Sequence, residues 1–202
     1  MQEHLGHALG QFNRVLEELR GHLAATPELE AALFRNTEEW RNLLSYKLLP
    51  HFEGEGCLVA AVAGGTNTGK STVFNLLLGR DISPVRNTAA ATSRPVLAGN
   101  TPRYTQCLEG RLMPEFHAQP LEDPEVVIRS GSAPNALFAV REDSLPHRLV
   151  LLDTPDVDSI DQRNWEVADH IRAAGDVLIA LLTGEKYKDD RVVQFFPADP
   201  AG

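Results

Sequence analysis

A chain of 202 residues, 43% hydrophobic and 23% charged, has the make-up of an ordinary folded soluble protein and not of a disordered, collagen-like or membrane-spanning one. Its 19 Lys and Arg against 28 Asp and Glu leave a net charge of -9, which argues against a generic grip on nucleic acid or on a broad anionic surface. Cys57 and Cys107 cannot form a disulfide framework and have no CxxC or Cys/His metal spacing, so both read as buried bystanders in a reducing interior.

The opening Met-Gln-Glu-His-Leu-Gly-His lacks the basic leader and apolar core of a secretory signal, and no apolar run approaches the ~20 residues of a membrane span. A cytoplasmic protein is expected. Leu5, Leu9, Phe12, Leu16, Leu19 and Leu23 recur at steps of three or four, the pattern of an amphipathic helix. Thr26-Pro27-Glu28 restarts the count, with Thr26 suited to cap, Pro27 to the first helical position and Glu28 to the positive end of the dipole. Leu29, Leu33, Trp40, Leu44 and Leu48 continue along one face until Pro50, which is expected to stop the helix. Residues 1–52 therefore read as a helical hairpin whose apolar stripes need the following domain or a partner helix. His4 and His7 on its first helix have no Cys or acid partner in frame and read as a solvated face.

Residues 53–202 change character. Cys57 to Ala63 is apolar on both faces, as in a central parallel strand. A helix is predicted from Ser71 to Leu78, a polar loop from Asp81 leading to a strand near Pro95 to Ala98, and short strands at Tyr104 to Leu108, Val126 to Ile128 and Leu137 to Val140. Arg148 to Leu152 and Val177 to Leu182 read as buried strands, Asn164 to Ala174 and Asp190 to Phe196 as helices. Alternating strands and helices imply an α/β fold, a largely parallel sheet covered on both faces.

Gly64-Gly65-Thr66-Asn67-Thr68-Gly69-Lys70-Ser71 matches G-x-x-x-x-G-K-[ST], between a predicted strand and a predicted helix. Glycines let the backbone wrap a polyphosphate, N–H groups at the helix start face the anion, and Lys70 adds a full charge. Ser71 can offer its hydroxyl to Mg2+, and such a P-loop requires a second carboxylate at a neighbouring strand end, which Asp153 supplies after Leu149-Val150-Leu151-Leu152.

Asn67 within the loop, followed by Ser71-Thr72-Val73-Phe74-Asn75-Leu76-Leu77-Leu78-Gly79, resembles the N-x-G-K-S-T-h-h-N-x-L-x-G run of Era-like and dynamin-like GTPases. Asp153-Thr154-Pro155 resembles the D-x-P-G switch II motif of translation-factor-like GTPases, and Thr92-Ser93-Arg94-Pro95 resembles dynamin-type switch I. The resemblance implies a P-loop NTPase three-layer sheet with helices on both faces. It implies GTP and Mg2+ as ligands, with Gly64, Gly65, Thr66, Asn67, Thr68, Gly69, Lys70, Ser71, Thr72 and Asp156 around the nucleotide. Ser71, Thr92 and Asp153 would serve the metal, with Thr88 the substitute for Thr92, and Lys70, Thr92 and Asp153 would carry catalysis. It further implies a homodimer through the G domain or the hairpin, and a membrane or protein target met peripherally, with no nucleic-acid partner expected.

The sequence departs from the common GTPase pattern in three places. Asp156 stands where most GTPases have a glycine facing the γ-phosphate, so it is either adapted or inhibitory. Val157 stands where Ras-like enzymes carry the glutamine that orients the attacking water, leaving Thr66, Asn67 and Asp158 as polar candidates nearby. No N/T-K-x-D, the motif that reads guanine, follows the Val177 to Leu182 strand, so a G domain cut before that motif is expected. Two rival readings stay open: an ATP-binding P-loop protein, and a nucleotide-binding scaffold without turnover.

Overall fold

The computed structural model describes residues 2–85, 94–127, 135–156, 171 and 174–184. The chain divides into two units, Met1–Cys57 and Leu58–Gly202.

In the first unit, α1 (Gln2–Leu23) turns at Thr26 into α2 (Pro27–Leu33) and α3 (Glu38–Asn42). Thr26 does not cap α2; its hydroxyl donates backward to the carbonyl of Leu23 at 3.2 Å. Polar pairs tie the returning arm to α1: Arg20 to Glu30 at 3.0 Å, Arg41 to Glu17, and Ser45 Oγ to Asn13 Oδ1 at 3.0 Å. Phe12 stacks on Trp40 with ring centroids 6.3 Å apart. Pro50 does not stop the helix as its chemistry predicts. The chain widens into a π-helical turn (Leu43–Leu48) and continues as α4 (Leu49–Phe52), with Pro50 in the first turn of α4. A proline ring clashes with the carbonyl four residues back, and a widened turn relieves that clash while removing the need for its N–H. Leu44 and Leu49 are buried, but Leu5, Phe12 and Leu19 stay 42–52% exposed.

The second unit is built on a six-stranded sheet. In chain order come β1 (Leu58–Gly64), α5 (Lys70–Leu78), β2 (Val96–Gly99), α6 (Thr101–Leu108) and β3 (His117–Pro120). A 3-10 turn (Pro124–Val127), β4 (Ala136–Arg141), β5 (Leu149–Asp153) and β6 (Val177–Leu181) follow. The strand order is β3-β4-β2-β5-β1-β6. β5, β1 and β6 are mutually parallel and so are β3, β4 and β2, but the two halves meet antiparallel where β2 pairs with β5. The sheet is thus an α/β sheet, with one antiparallel seam that alternation of elements alone did not reveal.

Two strand expectations are overturned. Tyr104 to Leu108 lies in α6, because Asn100 Oδ1 accepts the Arg103 N–H at 3.3 Å and Pro102 sits in the first turn, together a start signal for a helix. Val126 belongs to the 3-10 turn, where Pro124 supplies the starting φ and withholds a ladder donor. Of the helix expected over Asn164 to Ala174, Ile171 and Ala174 are helical and the rest lies outside the described residues, as does Asp190 to Phe196. Cys107 is buried and its thiol is pushed up to about 12 by desolvation, whereas Cys57 is only partly buried. Among the described residues, no helix is long and apolar enough to cross a membrane.

Phe74 and Leu78 of α5 pack with Ala60, Val62, Val96 and Phe138 in the main core cluster. Full burial of Phe74 contributes roughly 2 kcal/mol and fixes the helix that starts at Lys70 against the strand that ends at Gly64. The far end of α5 is tied by Arg80, whose guanidinium donates to Glu142 at 2.9 Å, while the Ser144 hydroxyl donates to the same carboxylate at 2.7 Å. The Ser144 hydroxyl, and after it Arg80, hold the Glu142 carboxyl below its usual range in spite of burial. A depressed folded-state value means stability present at neutral pH and lost as pH falls through the carboxylate range. Glu142→Gln should therefore cost about 1 kcal/mol at neutral pH, a gap that closes on acidification; parallel melting curves at several pH values check it.

Candidate functional site

The site forms where β1 ends. Register pairs Val62 with Asp153 of β5 and Gly64 with Leu181 of β6, so the loop from Gly65 to Gly69 leaves the sheet between two parallel neighbours. Gly64 is required by closeness: a Cβ there would lie 2.4 Å from the Leu181 carbonyl oxygen and 2.8 Å from Thr68 Oγ1. Gly69 is required by conformation, since it enters α5 at φ 87°, the left-handed region. Within the loop, Thr68 Oγ1 and Lys70 Nζ each donate to the Gly65 carbonyl at 2.8 Å, and Asn67 takes φ 60°. These bonds curl the backbone of the loop. Lys70, Ser71 and Thr72 form the first turn of α5, with Lys70 and Ser71 buried and Thr72 exposed.

Asp153 closes the opposite wall. It is fully buried at the last position of β5, and its Oδ2 accepts from Ser71 Oγ at 2.7 Å and Ser83 Oγ at 2.5 Å. Burial pushes its carboxyl up to about 6, against the hydrogen bonds from Ser83 and Ser71 and the charge of Lys70. Thr154 pins the following chain to β1, its hydroxyl donating to the Val62 carbonyl at 2.9 Å. Asp156 then turns its carboxylate onto Lys70, Oδ1 to Nζ 2.5 Å, with both side chains almost wholly buried.

The donor set suits a divalent cation. Oδ1 of Asp153 is buried and has no hydrogen-bond partner among the described residues. A buried acceptor left alone carries a desolvation cost of about 1–3 kcal/mol that a cation or its water would remove. The Ser71 hydroxyl stands beside the same carboxylate. The Lys70 ammonium is paired with the Asp156 carboxylate and lies near the charge of Asp153, so further positive charge would favour entry of a polyphosphate.

The structure thus brings Gly64 to Ser71, Asp153 and Asp156 together around one loop. Thr92, its substitute Thr88, Val157 and Asp158 lie outside the described residues, as does the chain from 185 onward. Sequence reasoning missed Ser83, and it quoted Asn75 without a role. Asn75 was findable as a polar residue at a position buried by α5; Ser83 sits in a polar loop and carried no signal.

Residues 59–198 match the family described as 50S ribosome-binding GTPase. A comparison with curated proteins finds no match. Among solved structures, two chains from work on an oligomerised bacterial dynamin pair, described as sensing and tethering membranes at long range, are similar over 94% of this chain. One is 16% identical with a TM-score of 0.43 and is covered over 30% of its own length; the other is 18% identical with a TM-score of 0.44 and covered over 36%. The chain thus spans about a third of the length of those two.

Proposed function

The chain belongs to the 50S ribosome-binding GTPase family and is a GTP-binding protein; on that premise we propose that it hydrolyses GTP with Mg2+ and works as a conformational switch of the dynamin-like or Era-like group. The observation that carries this reading is the meeting of Ser71 and Asp153 at 2.7 Å beside the P-loop, with one buried oxygen of that carboxylate unpartnered among the described residues.

In this reading, backbone N–H groups at the start of α5 and the Lys70 ammonium hold the phosphates. Ser71 and Asp153 hold Mg2+, and Thr92 adds a second hydroxyl. Bound there, Mg2+ would neutralise charge on the β- and γ-phosphates. Thr66, Asn67 and Asp158 are the polar candidates for holding the attacking water. The loops bearing Thr92 and Asp153 order around the triphosphate and relax after hydrolysis, which moves the helical unit. The half-exposed stripe Leu5, Phe12 and Leu19 supports a partner there, a second copy or a protein or membrane surface met from the cytoplasm.

A second reading, a nucleotide-binding scaffold without turnover, is favoured by the Asp156 carboxylate that occupies Lys70. Titration of fluorescent GTP and ATP analogues, with Mg2+ and with EDTA, tests the binding claim. GTP-selective, Mg2+-dependent binding is expected, and equal competition by ATP would replace the guanine reading with the adenine one. Single-turnover assays across protein concentrations test hydrolysis; no phosphate release at any concentration leaves the scaffold.

A further inference from the structure

The two oxygens of Asp153 differ in their surroundings. Oδ2 takes hydroxyl hydrogens from Ser71 at 2.7 Å and Ser83 at 2.5 Å, while Oδ1 is buried with no hydrogen-bond partner among the described residues. Two donors on one oxygen fix the rotation of a carboxylate that would otherwise turn over a broad range. Ser83 is itself held. Its N–H donates to Asn75 Oδ1 at 2.8 Å, its carbonyl accepts from Asn75 Nδ2 at 2.8 Å, and the N–H of Ile82 donates to the same Asn75 oxygen at 3.0 Å. Asn75 and Ser83 are 5% and 2% exposed, so these bonds form away from competing water. Asn75 lies one helical turn beyond Ser71 on α5. The helix that carries the metal-side hydroxyl therefore also grips, through Asn75, the residue that grips the metal-side carboxylate.

We propose that Ser83 is a positioning residue for the divalent cation: Asn75 clamps its backbone, its hydroxyl holds Oδ2 of Asp153, and Oδ1 is thereby kept turned toward the ion. This rests on the Mg2+ reading given above. A serine needed only to fill space could send its hydrogen to a nearby carbonyl. This one spends it on a buried carboxylate, and Ser71 alone would have to serve both the ion and Asp153.

The test uses the full chain, a fluorescent GTP analogue, and MgCl2 titrated from EDTA-treated protein. Removing an outer partner of a metal ligand typically weakens metal affinity at least tenfold, so Ser83→Ala should raise the Mg2+ concentration for half-maximal analogue binding by about tenfold. Its affinity in EDTA should stay within about twofold of wild type, and Ser83→Thr, which keeps the hydroxyl, should restore the wild-type Mg2+ requirement. If Ser83→Ala does not fold, Ser83→Cys, near in size and a weak donor, takes its place with the same expectation. An unchanged Mg2+ requirement overturns the inference, and so does an equal loss with and without Mg2+, which would mark a general packing role. A wild-type chain whose analogue binding ignores Mg2+ overturns the metal reading and this inference together, whereas Mg2+-dependent wild type beside an indifferent Ser83→Ala overturns this inference alone.

Discussion

Lys70→Ala is expected to weaken binding of a GTP analogue by at least about 100-fold, because it removes the side-chain cation that the proposed site offers the phosphates. The variant has a second consequence. Lys70 is 5% exposed and its ammonium is the partner of the buried Asp156 carboxylate, so truncation leaves that charge uncompensated. Breaking a buried pair from one side costs about 3–5 kcal/mol, and loss of binding alone could then reflect a damaged fold. The double variant Lys70→Ala with Asp156→Asn separates the two effects. It should recover most of the melting temperature, since neither partner is left charged, and still fail to bind. Tight binding retained by either variant would remove Lys70, and with it the P-loop, from the nucleotide site.

What could be read in advance follows from which forces are local. The loop Gly64 to Ser71 was legible because backbone conformation demands specific types there: Gly64 for the approach of Leu181, Gly69 for φ 87°. Asp153 was legible because an apolar strand ending in an acid is an unusual pattern beside such a loop. α6 was misread for the opposite reason. Tyr104 to Leu108 looks like a strand by side-chain type, yet Asn100 and Pro102 start a helix whose buried Arg103 donates to the carbonyl of His147, 44 residues away. The continuation through Pro50 depended on a π-turn that no periodicity announces. The antiparallel seam between β2 and β5 is likewise a matter of which strands meet, not of what each contains. Ser83 illustrates the limit best, because its role exists only once Asn75 and Asp153 have been brought to it by tertiary packing. Asp156 was visible as an anomaly, but its partner was not.

That partner makes Asp156 the second decisive position. Asp156→Asn is expected to bind the GTP analogue roughly tenfold more tightly than wild type, equivalent to about 1.4 kcal/mol. Two hydrogens of the Lys70 ammonium go to the Gly65 carbonyl and the Asp156 carboxylate, so a phosphate that uses Lys70 must displace the carboxylate or sit beside it. Like charges about 4 Å apart repel by roughly 4 kcal/mol at the effective dielectric of a protein surface, and only part of that is relieved by Mg2+ and by motion of the loop. Asparagine keeps the size and one acceptor oxygen for Lys70 while removing the charge. Without nucleotide the variant should melt clearly earlier, since the buried Lys70 ammonium keeps only a dipole in place of its counter-charge; with saturating GTP analogue and Mg2+ its melting point should rise further than that of wild type. Asp156→Gly should bind at least as tightly, because it also restores the residue whose amide the related motif turns toward the γ-phosphate. If both substitutions weaken binding instead, the carboxylate belongs to the nucleotide site itself and its contact with Lys70 is a resting position within that site, so Asp156 is adapted. If both strengthen it, the ion pair competes with GTP for Lys70, and Asp156 sets the concentration of nucleotide at which the switch responds.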